Sequence, residues 1–387
     1  MSRCGLRNSG NDCFMNASIQ CLAVSPFIRK FIKYYDNEDS KIIGVINKFH
    51  LGKYKADDIK IECDRIILDK ADSISKEDVD LLKKLSRNSA DFYIYVAFKD
   101  LIKSLNTKKD KVINNTAFLS ITRELSEDSG FDHLFNGSQN DPHEFMAYLL
   151  DRLHRAKSAS ITIEYPENMK DLCLYSQLYL KHYKTKYEED YSYFVKHFYY
   201  YILNCVECSK CKNKTHDVSP NDIMCVSIPS SKENDSKTYN IYDCLNEMFK
   251  VEVIDYKCEK CHNTEENLME KRIISQPKTS LIIKIKKYEQ VGNRLVKNNK
   301  MIYYPELLNI QQYFCGQILK EYELYGIVNH IGSLNGGHYY SYIRDIDANG
   351  KFTDQWLCCD DSKVYKISTE QAMLSQNAYV LFYNICE

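Results

Sequence analysis

The sequence has little that would make it loosely jointed, membranous or strongly charged. Its 387 residues include only 7 prolines and 13 glycines, so flexible linkers between separate domains are scarce. No apolar run approaches the ~18 residues that a membrane-spanning helix needs. The first residues, MSRCGLRNSG, hold no apolar stretch of the signal-peptide kind. An excess of either charge is missing too. Lys and Arg number 52 against 53 Asp and Glu, a net charge of -1, which argues against a dominant nucleic-acid or anionic-membrane surface. There is no internal repeat and no long low-complexity segment. These absences lead to the expectation of an intracellular chain, cytoplasmic or nuclear and not secreted, with no membrane and no nucleic acid among its partners. Hydrophobic residues (44%) and aromatics (12%) are plentiful enough for a real core.

What stands out in this composition is 16 cysteines. Disulfides are rare inside cells, and most of these cysteines are scattered among apolar neighbours, where a cysteine acts as a small hydrophobe. Five are not scattered. Cys205, Cys208 and Cys211 form one cluster, Cys258 and Cys261 a second. Two C-x-x-C pairs supply the four thiolates of a closed, structural Zn²⁺ site with Zn–S of ~2.3 Å. Cys211 makes the first cluster C-x-x-C-x-x-C, so its spacing allows either register. Intervening strands must bring the two pairs together.

The first 160 residues read as mostly helical. NDCFMNASIQCLAV (11–24) is apolar on two stripes, the mark of a buried helix. DPHEFMAYLLDRLHR (141–155) opens with Asp141 as N-cap, Pro142 at N1 and Glu144 at N3, a capping-box pattern. From about residue 220 aromatic and β-branched strands take over, among them 280–288, 322–331, 338–345, 354–359 and 378–385. Helices first and strands later point to an α+β architecture. The charged stretch 37–110 reads as an elaboration on the helical part.

Three segments carry chemistry. In NSGNDCFMN (8–16), Asn11 or Asp12 caps a helix and Cys13 falls in its first turn, where the helix dipole favours thiolate. Asn8, just upstream, offers an amide to a developing oxyanion. In NGGHYYSY (335–342), His338 stands at the start of a strand after Gly336 and Gly337, a suitable place for a general base. In WLCCDDSKV (356–364), Asp360 and Asp361 end the next strand. A hairpin would return Asp360 to His338, to hold its second nitrogen. Taken singly, each segment has a plainer reading: a buried cysteine, a surface turn, a solvated acidic turn.

Together they resemble the ubiquitin-specific protease family of deubiquitinating cysteine proteases. GLRNSGNDCFMNASIQCL (5–22) resembles its cysteine box and QNDPHEFMAYLLDRLH (139–154) its glutamine-aspartate segment. GHYYSY with WLCCDDSKV resembles the histidine box, and NAYVLFY (377–383) the closing strand. The motifs run in family order over almost the whole chain. The resemblance implies a papain-like α+β fold of helical thumb, antiparallel palm and zinc-bearing β fingers. It places the thumb at about 1–165 with the elaboration at 37–110, the fingers at about 195–275 and the palm at about 276–387, in a single catalytic domain. It implies Cys13 as nucleophile, His338 as base, Asp360 as orienting acid, Asp361 as a second acid and Asn8 as oxyanion donor. Asp141, Glu144, Gly337 and Tyr339 would line the channel for the Gly-Gly tail of ubiquitin, and segments 288–303 and 331–337 would cover it. One Zn²⁺ would be held by Cys205, Cys208, Cys258 and Cys261, with Cys211 spare. No catalytic cofactor is expected, the partners are ubiquitin and ubiquitinated proteins, and the chain is expected to act as a monomer. The sequence departs from the family pattern at Asp12 (usually threonine), Asn140 (a second glutamine), Cys359 (an aromatic) and KKYE at 286–289 (a basic-aromatic pair). Asp12 would raise the Cys13 pKa if it faced the thiol, and would cap the helix if turned inward. Two rival readings are a non-catalytic ubiquitin-binding module and a zinc-ribbon nucleic-acid binder. The intact Cys13, His338, Asp360 and Asn8 argue against the first, and the balanced charge argues against the second.

Overall fold

In the computed structural model the described residues are 3–53, 55–70, 73–107, 111–126, 130–229, 238–291, 294–316, 319–333 and 336–386. The chain forms two compact units. The first contains the residues up to Ala159, the short segment Asp190–Tyr193 and the late hairpin region Gly336–Ile367. The second contains Ser160–Glu189, Phe194–Asn335 and the chain from Ser368 on.

The first unit is built around α1 (Cys13–Val24), whose 12 residues are all buried, as its two apolar stripes predict. Ser25 ends it and caps α2 (Pro26–Lys48): the Ser25 hydroxyl accepts the N–H of Ile28, and Pro26 sits in the first turn, where its missing N–H costs nothing. Next come α3 (Ala56–Lys70), α4 (Lys76–Thr107) and α5 (Thr116–Glu124), with a kink in α4 at Asn88. Residues 37–110 are tied in by charge. Asp39, 1% exposed, accepts the Lys99 and Lys157 ammonium groups and the Tyr95 hydroxyl (2.7 Å). The Lys157 ammonium also lies over the Tyr95 ring at 4.7 Å. α6 (Pro142–Arg155) begins at Asp141, whose carboxylate accepts the His143 N–H at 2.8 Å. The other half of the expected capping box does not form. Glu144 turns outward and meets His133 Nε2 at 3.3 Å.

At the far end of α6, His154 binds Ser192 Oγ through Nδ1 (2.6 Å) and Asp190 Oδ2 through Nε2 (3.1 Å). This clamp pins the segment 190–193 to the first unit. The late part of the unit is an antiparallel meander of three strands: the histidine strand Gly336–Ile346, the acid strand Phe352–Asp360, and Lys363–Ile367. α1 packs against the histidine strand.

The second unit holds α7 (Leu174–Tyr187), where Tyr179, Tyr183 and Tyr187 recur at helical spacing and gather around Tyr201. A four-stranded antiparallel sheet runs in the order Lys214–Asn221, Tyr200–Glu207, Asn267–Ile273, Glu252–Ile254. In a second sheet Ala378–Ile385 pairs antiparallel with both Glu321–Ser333 and Ser280–Lys286. Apart from the two-residue pair Gly5–Leu6 and Val112–Ile113, strands therefore begin at Tyr200 rather than near 220. The reason is that the distal halves of the first two strands are only partly buried, so polar residues mask the alternation on which a strand reading depends.

Candidate active site

The first unit contains all the groups proposed for acid-base and nucleophilic chemistry. The hairpin register creates the histidine-acid pair. The last aligned residues are Ser341 and Cys359. One step further Asp360 falls level with Tyr340, which makes His338 its diagonal neighbour on the same face, within reach of a long side chain. His338 Nε2 meets Asp360 Oδ1 at 2.6 Å, with the two side chains 41% and 39% exposed. Nε2–H donates, so Nδ1 is the nitrogen left to exchange a proton.

Cys13 opens α1 at 2% exposure. Burial pushes its thiol above the ordinary range, and the nearby Asp361 charge adds to this. Backbone N–H groups of Tyr339 and Phe14, with its own, act in the opposite sense. Asp12 takes neither of its two expected positions. It is the N-cap residue, yet its side chain caps no helical N–H. Its carboxylate accepts the Ser9 N–H at 3.2 Å instead, while Asn8 Oδ1 accepts the N–H groups of Gly10 (3.0 Å) and Asp12 (3.3 Å). The loop ahead of Cys13 is thereby knitted by its own side chains.

Asp361 takes its hydrogen bonds from this loop rather than from the imidazole, although one of its carboxylate oxygens lies within 4.8 Å of a His338 ring nitrogen. Its φ is +49, and its two carboxylate oxygens accept Asn8 Nδ2 and Asn16 Nδ2, both at 2.8 Å. Asn16 Oδ1 accepts Asn115 Nδ2 in turn, also at 2.8 Å. The Leu6 N–H binds the Asp361 carbonyl at 2.8 Å. A Cβ on Gly5 would stand 2.3 Å from the Ser362 carbonyl oxygen, so this approach requires glycine. Asp141 and Glu144 begin α6, Gly337 is bound by Gln139, and Tyr339 is 7% exposed. Gln139, the first residue of the glutamine-aspartate segment, has no side-chain role legible in the sequence. In the segments expected to cover the tail, 292–293 and 334–335 lie outside the described residues.

The thiol cluster lies in the second unit, and it corrects the expected ligand set. Cys208, Cys211, Cys258 and Cys261 have all their sulfurs within 4.8 Å of one another. Cys208–Cys261 and Cys211–Cys258 are 3.5 and 3.6 Å apart, near the ~3.8 Å edge of a tetrahedron with ~2.3 Å Zn–S bonds. These residues fit a closed Zn²⁺ site. Cys205 is the spare, because it sits inside a regular strand opposite His216 and Glu270, while the knuckle turn starts only at Cys208. The two knuckles are alike. In each, the first cysteine's N–H binds the carbonyl of the asparagine five residues on (Asn213, 2.9 Å; Asn263, 2.8 Å). In each, the residue before that asparagine is left-handed (Lys212 φ 58, His262 φ 59). The signal was present in the sequence: Cys208-Ser-Lys-Cys211-Lys-Asn213 and Cys258-Glu-Lys-Cys261-His-Asn263 share C-x-K-C-x-N, which the Cys205 register does not. N–H groups of Cys211 and Lys210 pull the Cys208 thiol down, while the neighbouring thiols push Cys211 up.

A family model described as ubiquitin carboxyl-terminal hydrolase matches residues 4–383. Ubiquitin carboxyl-terminal hydrolase 4 of Saccharomyces cerevisiae is 27% identical over 418 residues, which cover 98% of this chain and 39% of that protein. The chain thus spans about two fifths of the length of that relative. Ubiquitin carboxyl-terminal hydrolase 25 of Arabidopsis thaliana is 26% identical, with 98% of this chain and 47% of that protein covered. A probable ubiquitin carboxyl-terminal hydrolase of Acanthamoeba polyphaga mimivirus is 24% identical, with 98% and 89% covered. Among solved structures, the SAGA Ubp8/Sgf11/Sus1/Sgf73 DUB module bound to ubiquitin aldehyde matches with a TM-score of 0.63 at 21% identity, covering 99% of this chain and 70% of that one. The mixed helical and antiparallel-sheet fold expected from the sequence is the fold of that structure.

Proposed function

This chain belongs to the ubiquitin carboxyl-terminal hydrolase family, and we propose from that premise that it is a thiol-dependent deubiquitinase. It hydrolyses the peptide or isopeptide bond after the Gly-Gly end of ubiquitin. The observation that carries the reading is the 2.6 Å His338–Asp360 pair in the same unit as a cysteine at the first turn of a buried helix.

The chemistry follows from the groups in place. With Nε2–H committed to Asp360, Nδ1 takes the proton of Cys13 as the thiolate attacks the terminal glycine carbonyl. Burial favours the protonated thiol, and transfer of its proton to His338 couples ionisation to formation of the imidazolium. The developing oxyanion is met by the amide of Asn8, whose orientation is set by Asp361. The imidazolium returns its proton to the departing amine. A water deprotonated by His338 then cleaves the thioester and regenerates the Cys13 thiol. Asp141, Glu144, Gly337 and Tyr339 line the approach for the tail.

Cys208, Cys211, Cys258 and Cys261 would hold a Zn²⁺ that cross-links the two knuckles and takes part in no chemical step, because four thiolates would leave no open position. The proposed partners are ubiquitin and ubiquitinated proteins. The proposed location is cytoplasmic or nuclear. Every catalytic group comes from one unit of one chain, so a monomer suffices. A ubiquitin probe carrying a C-terminal electrophile tests the reading. An adduct mapped to Cys13 is the expected result. Ubiquitin retained without an adduct would identify a binding module instead.

A further inference from the structure

The loop that leads into α6 reaches the histidine strand through one side chain. Gln139 Oε1 accepts the Gly337 N–H at 2.9 Å, and its Nε2 donates to the Gly337 carbonyl. A carboxamide that binds both groups of one residue does what a neighbouring strand does in a ladder. The acid strand cannot provide this, because its alignment with the histidine strand starts only at Ser341 and its chain turns away at Asp361.

The loop that presents Gln139 is fixed on both sides. Gly137 takes a left-handed φ of +87. Asn136 Oδ1 accepts the Ser138 N–H at 2.8 Å. Asn140 Nδ2 donates to the carbonyls of His133 (3.0 Å) and Ser138 (3.1 Å). Asn11 Nδ2 donates to the Gly137 carbonyl at 2.8 Å, which joins this loop to the one ahead of Cys13. On the histidine strand, N–H groups two residues apart point the same way. Gly337 therefore presents its N–H to Gln139 on the edge where Tyr339 presents its own to the Cys13 sulfur. The backbone of His338 lies between these two contacts.

We propose that Gln139 is a positioning residue for the thiol hydrolysis: by pairing with Gly337 as a substitute strand, it sets where the His338 imidazole stands relative to Cys13. This rests on the deubiquitinase reading for its role in turnover, while the positioning itself can be measured without ubiquitin.

The test compares Gln139→Ala and Gln139→Glu with the full chain. With a fluorogenic ubiquitin substrate, Gln139→Ala is expected to lower kcat by about 10- to 100-fold, the scale of a misplaced catalytic group, with KM changed less than about 3-fold. Gln139→Glu keeps the acceptor for Gly337 N–H and loses the donor, so it should fall between. Alkylation of Cys13 by iodoacetamide at pH 7 reports the thiol-imidazole pair directly and should slow in the same order, at an unchanged melting temperature. Unchanged kcat, or a rise in KM alone, would overturn the proposal, the latter by making Gln139 a substrate contact. Slowed alkylation in the variants of a chain that never cleaves ubiquitin would uphold the positioning and sink the functional reading.

Discussion

Among its described residues the first unit contains two histidine-aspartate pairs, and they differ in what chemistry they could do. His338–Asp360 is 2.6 Å long and about two fifths exposed, with Nδ1 uncommitted. His154–Asp190 is 3.1 Å long and has a serine hydroxyl at 2.6 Å on the other ring nitrogen. By residue type and distance this second set is the more complete triad. Yet the His154 side chain is 5% exposed, against 41% for His338, so no substrate group reaches that imidazole. The difference lies in access to the imidazole and in which of its nitrogens is already hydrogen-bonded. A nucleophile, base and acid make a catalytic set only where the base is open to a substrate and keeps a nitrogen for proton exchange; elsewhere they are a staple, and here the staple holds residues 190–193.

The largest test of this contrast removes the two nucleophiles. Cys13→Ala should abolish hydrolysis of a ubiquitin substrate while binding persists, and Ser192→Ala should leave kcat and KM as they are. Next come the acids. Asp360→Asn should lower kcat by about 10²- to 10⁴-fold, whereas Asp190→Asn should change kcat little. A matching contrast exists among the thiols of the second unit. Cys211→Ser should abolish stoichiometric zinc in metal analysis and Cys205→Ser should retain it, although spacing alone makes the two equivalent. Ser192→Ala should show its effect in denaturant unfolding, at about 1–3 kcal/mol for a buried ring nitrogen left without its partner.

The smallest effect is in acid. The bond from His154 holds the Asp190 carboxyl below the usual carboxylate range. A depressed carboxyl contributes stability that is present above its unfolded pKa of ~3.9 and disappears as pH falls. Asp190→Asn should therefore flatten the loss of melting temperature below about pH 4. Because that carboxylate is 44% exposed, solvent screening keeps the effect modest.

Several of these features could be read in the chain. The buried α1, the Asp141 cap and the His338–Asp360 hairpin follow from local pattern, and a hairpin converts short sequence spacing directly into distance. What the pattern lacked was long-range pairing. Glu144 fits a capping box by spacing, but His133 draws it outward. Cys205 fits a C-x-x-C pair by spacing, but a strand occupies it. Gln139 opens the glutamine-aspartate segment, but its contact could not be read, because Gly337 lies 198 residues away and the bond goes to backbone atoms, which any residue there would offer. The direction of Asp361 was hidden for a similar reason, since its left-handed backbone and its asparagine partners are visible only in the fold.

The bond between Asn8 and Asp361 joins residues 353 apart, so its first half leaves the ribosome long before its second. At about 5–20 residues per second, synthesis of the intervening chain takes tens of seconds. Throughout that time Cys13 exists without its histidine, its acid or a fixed Asn8. A growing chain thus has no assembled candidate site until the late hairpin has been made and has docked against α1.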